Sequence, residues 1–338
     1  MKKIVLSAVL LLGMIAAKAQ QDPEYNMYMF NGLFINPAYA GSKDVISLVG
    51  IYRHQWDGID GAPRTVNVSV HSPLKKEQYA LGLTIANDRL GLTNQFSATG
   101  AFAYRLRFKK DLIWAFGIQA GVTYFQQRNS NAITESAVSN SVFDPSFSSN
   151  INMAIANIGA GTYLYNKRFF VGFSVPHLIP YSLSNSHKYK LNPNNESLAK
   201  MYNQYILTAG YVFGKDNAIV KVRPSIMMNY QQGLQRNIPD FHFNLGLLFI
   251  DRVWLAASVR TGGEKYNASS TKAKPFNVEG IVGMIQGKVT PQLEVGYADH
   301  YPLSDLRQYQ RGTHEVMLGY DFWYNKKRFV TPRYVKYF

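Results

Sequence analysis

The chain has 338 residues, 46% hydrophobic and 14% aromatic, only 17% charged, with a formal net charge of +15. That aromatic content excludes a disordered chain, and the absence of cysteine excludes disulfide frameworks, thiolate metal sites and thiol nucleophiles. A mean hydropathy of −0.17 is too polar for a bundle of membrane helices, yet it suits a membrane barrel, in which lipid-facing and lumen-facing residues alternate.

Residues 1–19 read as a signal peptide. Lys2 and Lys3 precede an apolar stretch from Ile4 to Ala17, and Ala17-Lys18-Ala19 fits the small-x-small rule for cleavage before Gln20. Removing this segment takes away Lys2, Lys3 and Lys18 and no acid, so the charge falls by three, from +15 to +12. The remaining basic residues are scattered and form no single stripe, so no nucleic-acid partner is expected.

Residues 20–44 read as a periplasmic N-terminal segment. Tyr25 to Ser42 is rich in aromatics and asparagine, lacks alternation and contains the turn-forming Asn36-Pro37. So many aromatic side chains would not stay solvated, so the segment is expected to pack into the periplasmic mouth of a barrel as a plug or docking element. An extra strand or an ordered lead-in is the plainer reading. The partner-binding candidates here are Tyr25, Tyr28, Phe30, Asn31, Asn36, Pro37 and Tyr39.

From residue 45 to residue 324 the dominant signal is period two. Phe96, Ala98, Gly100, Phe102, Tyr104, Leu106 and Phe108 share one face, against Gln95, Ser97, Thr99, Arg105 and Arg107 on the other. Val66, Val68 and Val70 oppose Asn67 and Ser69, and the same pattern recurs in 112–127, 240–250 and 315–324. With further strands starting near Val45, Tyr79, Asn157, Phe169, Tyr205, Ala218, Val253, Asn277 and Gln292, the pattern predicts an all-β fold: a transmembrane outer-membrane β-barrel of about 14 antiparallel strands. Short connections such as 109–111, 166–168, 214–217, 251–252 and 287–291 alternate with longer ones, which puts both termini in the periplasm. The polar face points inward and includes Arg105, Lys221, Arg223, Arg260, Glu294 and Asp321. Such a lumen is either a watery channel or one filled by inward-folding segments.

The tail, residues 325–338, holds Lys326, Lys327, Arg328 and Arg333 with no acidic residue. It reads as a basic periplasmic tail, either solvated or docked on a partner. Nothing in the chain promises chemistry. Gly172-Phe173-Ser174-Val175-Pro176 lacks the final glycine of a nucleophile elbow, the seven histidines show no helical metal spacing, and Asp57 with Asp60 reads as solvated turn residues more readily than as a calcium loop. No catalytic, cofactor or metal-ligating residue is expected, and hence no enzyme.

Tyr25-Asn26-Met27-Tyr28-Met29-Phe30-Asn31-Gly32-Leu33-Phe34-Ile35-Asn36-Pro37-Ala38-Tyr39-Ala40-Gly41-Ser42 closely resembles the opening of the PorP/SprF family of type IX secretion system membrane proteins. The resemblance continues through Arg53-His54-Gln55-Trp56, Gly61-Ala62-Pro63-Arg64-Thr65, Asp144-Pro145-Ser146-Phe147, Gly172 to Leu178, Gly319-Tyr320-Asp321-Phe322 and Thr331-Pro332-Arg333-Tyr334. The extension Val335-Lys336-Tyr337-Phe338 departs from the usual ending. The resemblance implies a non-enzymatic outer-membrane barrel, embedded in outer-membrane lipid, that supports export and surface anchoring of cargo. Family members contact periplasmic ring or motor-linked secretion proteins, or serve one secreted adhesin through its C-terminal domain, in some cases for gliding motility. The alternative function is an outer-membrane channel or hydrophobic-solute transporter.

Overall fold

The computed structural model describes residues 24–74, 77–108, 111–129, 150–179, 181–182, 200–201, 203–231, 239–262, 277–303 and 305–322. Its strands are β1 (Ile46–His54), β2 (Arg64–Pro73), β3 (Tyr79–Leu90), β4 (Thr93–Arg107), β5 (Ile113–Gln127), β6 (Ile151–Tyr165), β7 (Phe169–Val175), β8 (Tyr181–Ser182) and β9 (Lys200–Met201). They continue with β10 (Gln204–Tyr211), β11 (Val220–Gln231), β12 (Asp240–Phe249), β13 (Val253–Gly262), β14 (Asn277–Lys288), β15 (Leu293–Pro302) and β16 (Thr313–Phe322).

Fourteen of these strands close an antiparallel barrel, the number the alternation predicts, while β8 and β9 pair separately as a small hairpin. The seam is β1 against β16, in register from Ile46↔Phe322 to His54↔His314. One end of the barrel carries the short turns and the other the longer connections. Two connections depart from that order: eight residues join β10 to β11 at the short-turn end, and β3 and β4 meet at the long-loop end through Gly91 and Leu92 alone. Gly91 adopts φ +54° and its N–H bonds the Gly61 carbonyl at 2.9 Å, so this tight turn is pinned to the β1–β2 connection. The sixth strand begins at Ile151, six residues before the Asn157 start that the polar/apolar pattern suggests.

The outward rows are apolar through the middle of the strands. Val66, Leu81, Ile118, Leu245 and Leu318 are all exposed, as the lipid-facing residues of a barrel are. At the short-turn rim Tyr79, Phe102 and Tyr104 form one outward aromatic group and Trp114 with Phe116 another, the position of an interfacial girdle. The inward rows are less uniform than the alternation suggests. Val49, Ile51, Leu248, Trp254, Ala256, Val282, Met284, Ala298 and Met317 also face inward and form one buried apolar cluster with Met27 and Phe30. Where these residues lie the wall is apolar on both faces, a pattern expected only where something covers the inside.

The N-terminal segment is what covers it. Residues 24–45 enter the lumen level with the long-loop half of the wall and leave at the short-turn end into β1, making three short 3-10 turns at Tyr28–Phe30, Gly32–Phe34 and Pro37–Tyr39. The segment therefore runs through most of the lumen's height, further than the mouth at which the sequence places a plug or docking element. Asn31 and Asn36 explain its course. Each accepts a backbone N–H two residues on, from Leu33 at 3.3 Å and Ala38 at 2.9 Å, capping the turn that follows. Each then spends its amide on the wall, Asn31 donating to Ser69 Oγ and Asn36 to the Thr162 carbonyl at 2.9 Å.

Two wall glycines mark where this backbone touches. A Cβ on Gly117 would run into the Pro37–Ala38 peptide, and one on Gly161 into the Asn36 side chain. Gly117→Ala should therefore lower stability by about 1–3 kcal/mol through overpacking. Gly283→Ala, which meets nothing within 4 Å, should leave it unchanged. Melting of the folded band on semi-native gels separates the two variants.

Candidate functional site

The site is the filled lumen, and the filling is fastened at both ends. At the long-loop end Glu315 on β16 accepts the N–H groups of Asn26, at 2.8 and 2.9 Å, and Met27, at 3.0 Å. The same carboxylate forms an ion pair at 3.0 Å with Arg53, its register partner across the β1/β16 seam, and both side chains are buried. Beside it Glu24 accepts from Asn229 at 2.8 Å and pairs with His242 at 3.5 Å and Arg260 at 4.0 Å, while Arg260 donates to the Tyr25 carbonyl at 3.3 Å. Tyr25 and Tyr28 anchor through their hydroxyls, which accept from Asn67 at 2.9 Å and Asn244 at 2.7 Å.

At the short-turn end Lys43 lies between Glu294 and Asp321, at 3.7 and 3.6 Å. Burial alone would lower the pKa of the Lys43 ammonium, but the two carboxylates outweigh it and raise the pKa above its ordinary value. Asp44 binds Arg105 and, at 3.1 Å, Arg107; Arg107 also holds Glu77 at 3.0 Å, and Arg105 donates to the Tyr165 hydroxyl at 3.2 Å. His71 accepts the Gly41 N–H at 3.1 Å and meets the Tyr39 ring edge-on at 5.5 Å. The charged wall thus faces opposite charges on the segment, the pairing that a buried ion requires.

All six charged residues assigned to the inner face, Arg105, Lys221, Arg223, Arg260, Glu294 and Asp321, lie on the inward parity of their strands. Four of them meet the N-terminal segment through the ion pairs above. Lys221 instead binds Asp251 at the short-turn rim. Arg223 lies against two rings, 4.2 Å from the centroid of Trp254 and 5.5 Å from that of Phe30, a cation–π sandwich between wall and segment. Tyr25, Tyr28, Phe30, Asn31, Asn36 and Tyr39 contact the wall through their side chains, and Pro37 is buried with its backbone against Gly117. Lys326, Lys327, Arg328 and Arg333 lie outside the described residues.

Sequence reasoning missed Glu24, Lys43, Asp44, Arg53 and Glu315. The last two carried a usable signal: opposite charges on the inward parity of the first and last strands, which closure must bring together. Between the segment and the long-loop halves of β2 to β6, β10 and β11 remains a cavity of about 150 Å³, floored by Tyr25, Tyr28 and Phe34 and walled by residues such as Asn67, Gln95 and Asn229. Among the described residues no three histidine, aspartate or glutamate side chains converge as a metal site.

Comparison with known proteins gives two kinds of likeness. Among solved structures the chain is similar to the outer membrane protein Omp33 of Acinetobacter baumannii (TM-score 0.43, 10% identity, 83% of this chain and 100% of that one). It is also similar to CdiB from Acinetobacter baumannii (TM-score 0.38, 9% identity, 82% and 60%) and to Salmonella typhi OmpF (TM-score 0.38, 9% identity, 82% and 97%). No curated protein matches the sequence. The sequence profile of the type IX secretion system membrane protein PorP/SprF matches residues 17–320. A membrane protein built as a closed barrel with apolar outward rows resides in the outer membrane. The chain thus belongs to the PorP/SprF family and is an outer-membrane component of the type IX secretion system.

Proposed function

We propose that this barrel is a plugged platform that supports export and surface anchoring of cargo bearing a secretion-specific C-terminal domain, large adhesins among them, and that cargo does not pass through its own lumen. The observation that carries the reading is the fastening of residues 24–45 inside the barrel, by Glu315, Arg260 and His242 at one end and by Glu294, Asp321 and Arg105 at the other. A diffusion channel keeps its inner charges in water; here Arg105, Arg260, Glu294 and Asp321 are met by charges of the chain's own segment. In this reading the short-turn end and both termini face the periplasm, where ring or motor-linked proteins meet the basic tail at Lys326, Lys327, Arg328 and Arg333. The long-loop end faces the cell exterior and holds the adhesin, including adhesins of gliding motility. Catalysis forms no part of this role.

A deletion strain tests the proposal through its complete secreted and surface proteome. Loss of many cargo proteins would make the chain part of the core machine, and loss of one large adhesin would make it that adhesin's dedicated partner. An unchanged surface proteome would overturn the proposal and favour a channel.

A further inference from the structure

Basic residues stand at both rims of the barrel, and several at the short-turn rim are paired. At the short-turn rim Lys167 pairs with Asp111 at 2.8 Å, Arg168 with Asp216 at 3.0 Å and Lys288 with Glu294 at 3.6 Å. At the long-loop rim Arg64, Arg89 and Arg128 are exposed, and among the described residues none has a carboxylate partner. Arg64 and Arg89 are moreover register partners on the same outward face of β2 and β3. Like charges directly opposite each other on one face of a sheet repel. The row continues across β4 and β5 as Asn94 and Gln126, and Arg128 follows two positions beyond Gln126 on the same outward parity. Three arginines and two carboxamide residues thus line one stretch of the rim at the level where the apolar belt ends, with Arg64 and Arg128 three strand spacings apart, about 15 Å.

Below them on the same lipid-facing wall lies a groove of about 710 Å³. It comes from one cross-strand row: Leu83 pairs with Gly100, Gly100 with Ala120 and Ala120 with Ile158, so two small residues are flanked by two large ones. Phe102 and Ile118 close it toward the short-turn end. From Arg89 to Leu83 is six residues along β3, about 20 Å at the rise of a strand. An acyl chain can descend that far from a headgroup held at the rim.

We propose that this face of β2 to β6 is a binding site for a phosphorylated, multiply acylated glycolipid of the outer leaflet, its phosphate groups held along the row by Arg64, Arg89 and Arg128 and an acyl chain lying in the groove over Gly100 and Ala120. The site rests on the orientation proposed above, with the long-loop end outward. Guanidinium forks match phosphate oxygens in bidentate geometry and stay charged at every physiological pH. A lipid is favoured over an acidic protein because the arginines continue the outward, lipid-facing rows and stand above an apolar groove, an arrangement that an acidic peptide would leave half unused.

The test uses the full mature chain in vesicles of phosphatidylcholine carrying either diphosphoryl lipid A or the same lipid stripped of phosphate, with bound lipid quantified after affinity capture in mild detergent. Retention of the phosphorylated form should fall at least tenfold in Arg64→Gln/Arg89→Gln/Arg128→Gln and be unchanged in Lys167→Gln/Arg168→Gln. Ala120→Phe, which fills the groove, should also reduce retention while leaving the arginines in place. Equal retention by all variants, or equal retention of the dephosphorylated lipid, would overturn the site. Competition by a poly-glutamate peptide with no effect of Ala120→Phe would overturn it too, and would assign the arginines to an acidic protein. Because these readouts are of lipid, they are independent of the export result. Should export prove unaffected by deletion of the chain while lipid retention follows the arginines, the secretion proposal fails and the lipid site stands.

Discussion

Replacing Glu315 by alanine is expected to be the most damaging single change in this barrel. The carboxylate is fully buried, neutralises Arg53 across the closing seam and accepts the Asn26 and Met27 N–H groups. Its removal leaves a buried guanidinium without its partner, which costs about 3–5 kcal/mol. It also leaves backbone donors unmet in the lumen. At about 2–4 °C per kcal/mol for chains above ~150 residues, the heat-modifiable band should unfold roughly 10 °C earlier. The double variant Arg53→Met/Glu315→Leu separates the two effects. Matched apolar side chains commonly replace a buried ion pair at little cost, so the seam should recover. The two N–H groups of the segment still lack an acceptor, so limited proteolysis should cut near Glu24 faster than in the parent chain. If Glu315→Ala melts with the parent, the ion pair contributes nothing to closure and the fastening at this end is overstated.

How far the fold could be read from the sequence depended on which face of a strand was in question. The outward rows are simple because lipid imposes one demand on them all, and Val66-Val68-Val70 or Phe96 to Phe108 satisfies it without exception. That demand made the number of strands legible. The tight β3–β4 turn was not, since Gly91-Leu92 stands at an end where longer loops were expected and only Gly91 marks it. The inner face answers to whatever fills it, and here the filling is non-local. Trp254, Met284 and Met317 are inward and apolar because Met27 and Phe30 lie against them, contacts more than 220 residues apart in the chain. Stretches apolar on both faces, such as Val253 to Ala257, were the available sign that the lumen is not water throughout. The segment's aromatics and asparagines signalled burial. Its path through the lumen was decided by Gly117 and Gly161, which the period-two pattern treats as ordinary strand residues.

The largest functional effect is expected from deleting Tyr25 to Ser42. Lys43 and Asp44 remain, so the ion pairs at the short-turn end survive. The contacts of Met27, Phe30, Leu33 and Tyr39 with the wall are lost, and Val49, Trp254 and Met284 become wetted. The deleted barrel should still give a heat-modifiable band, at a lower temperature than the parent. In planar bilayers it should show stepwise conductance where the intact chain is silent, and cells carrying it should lose cargo export. Normal export by the deleted chain would remove the segment from the mechanism. A cross-link then decides whether the segment must move. The chain has no cysteine, and the side chains of Asn31 and Ser69 touch, so Asn31→Cys/Ser69→Cys can fix the segment to β2 by oxidation. Since cargo is proposed not to traverse this lumen, the oxidised form should export normally and stay silent in bilayers. Export that stops on oxidation and returns with reductant would mean that the segment leaves the barrel during secretion, and the platform would then be a gate.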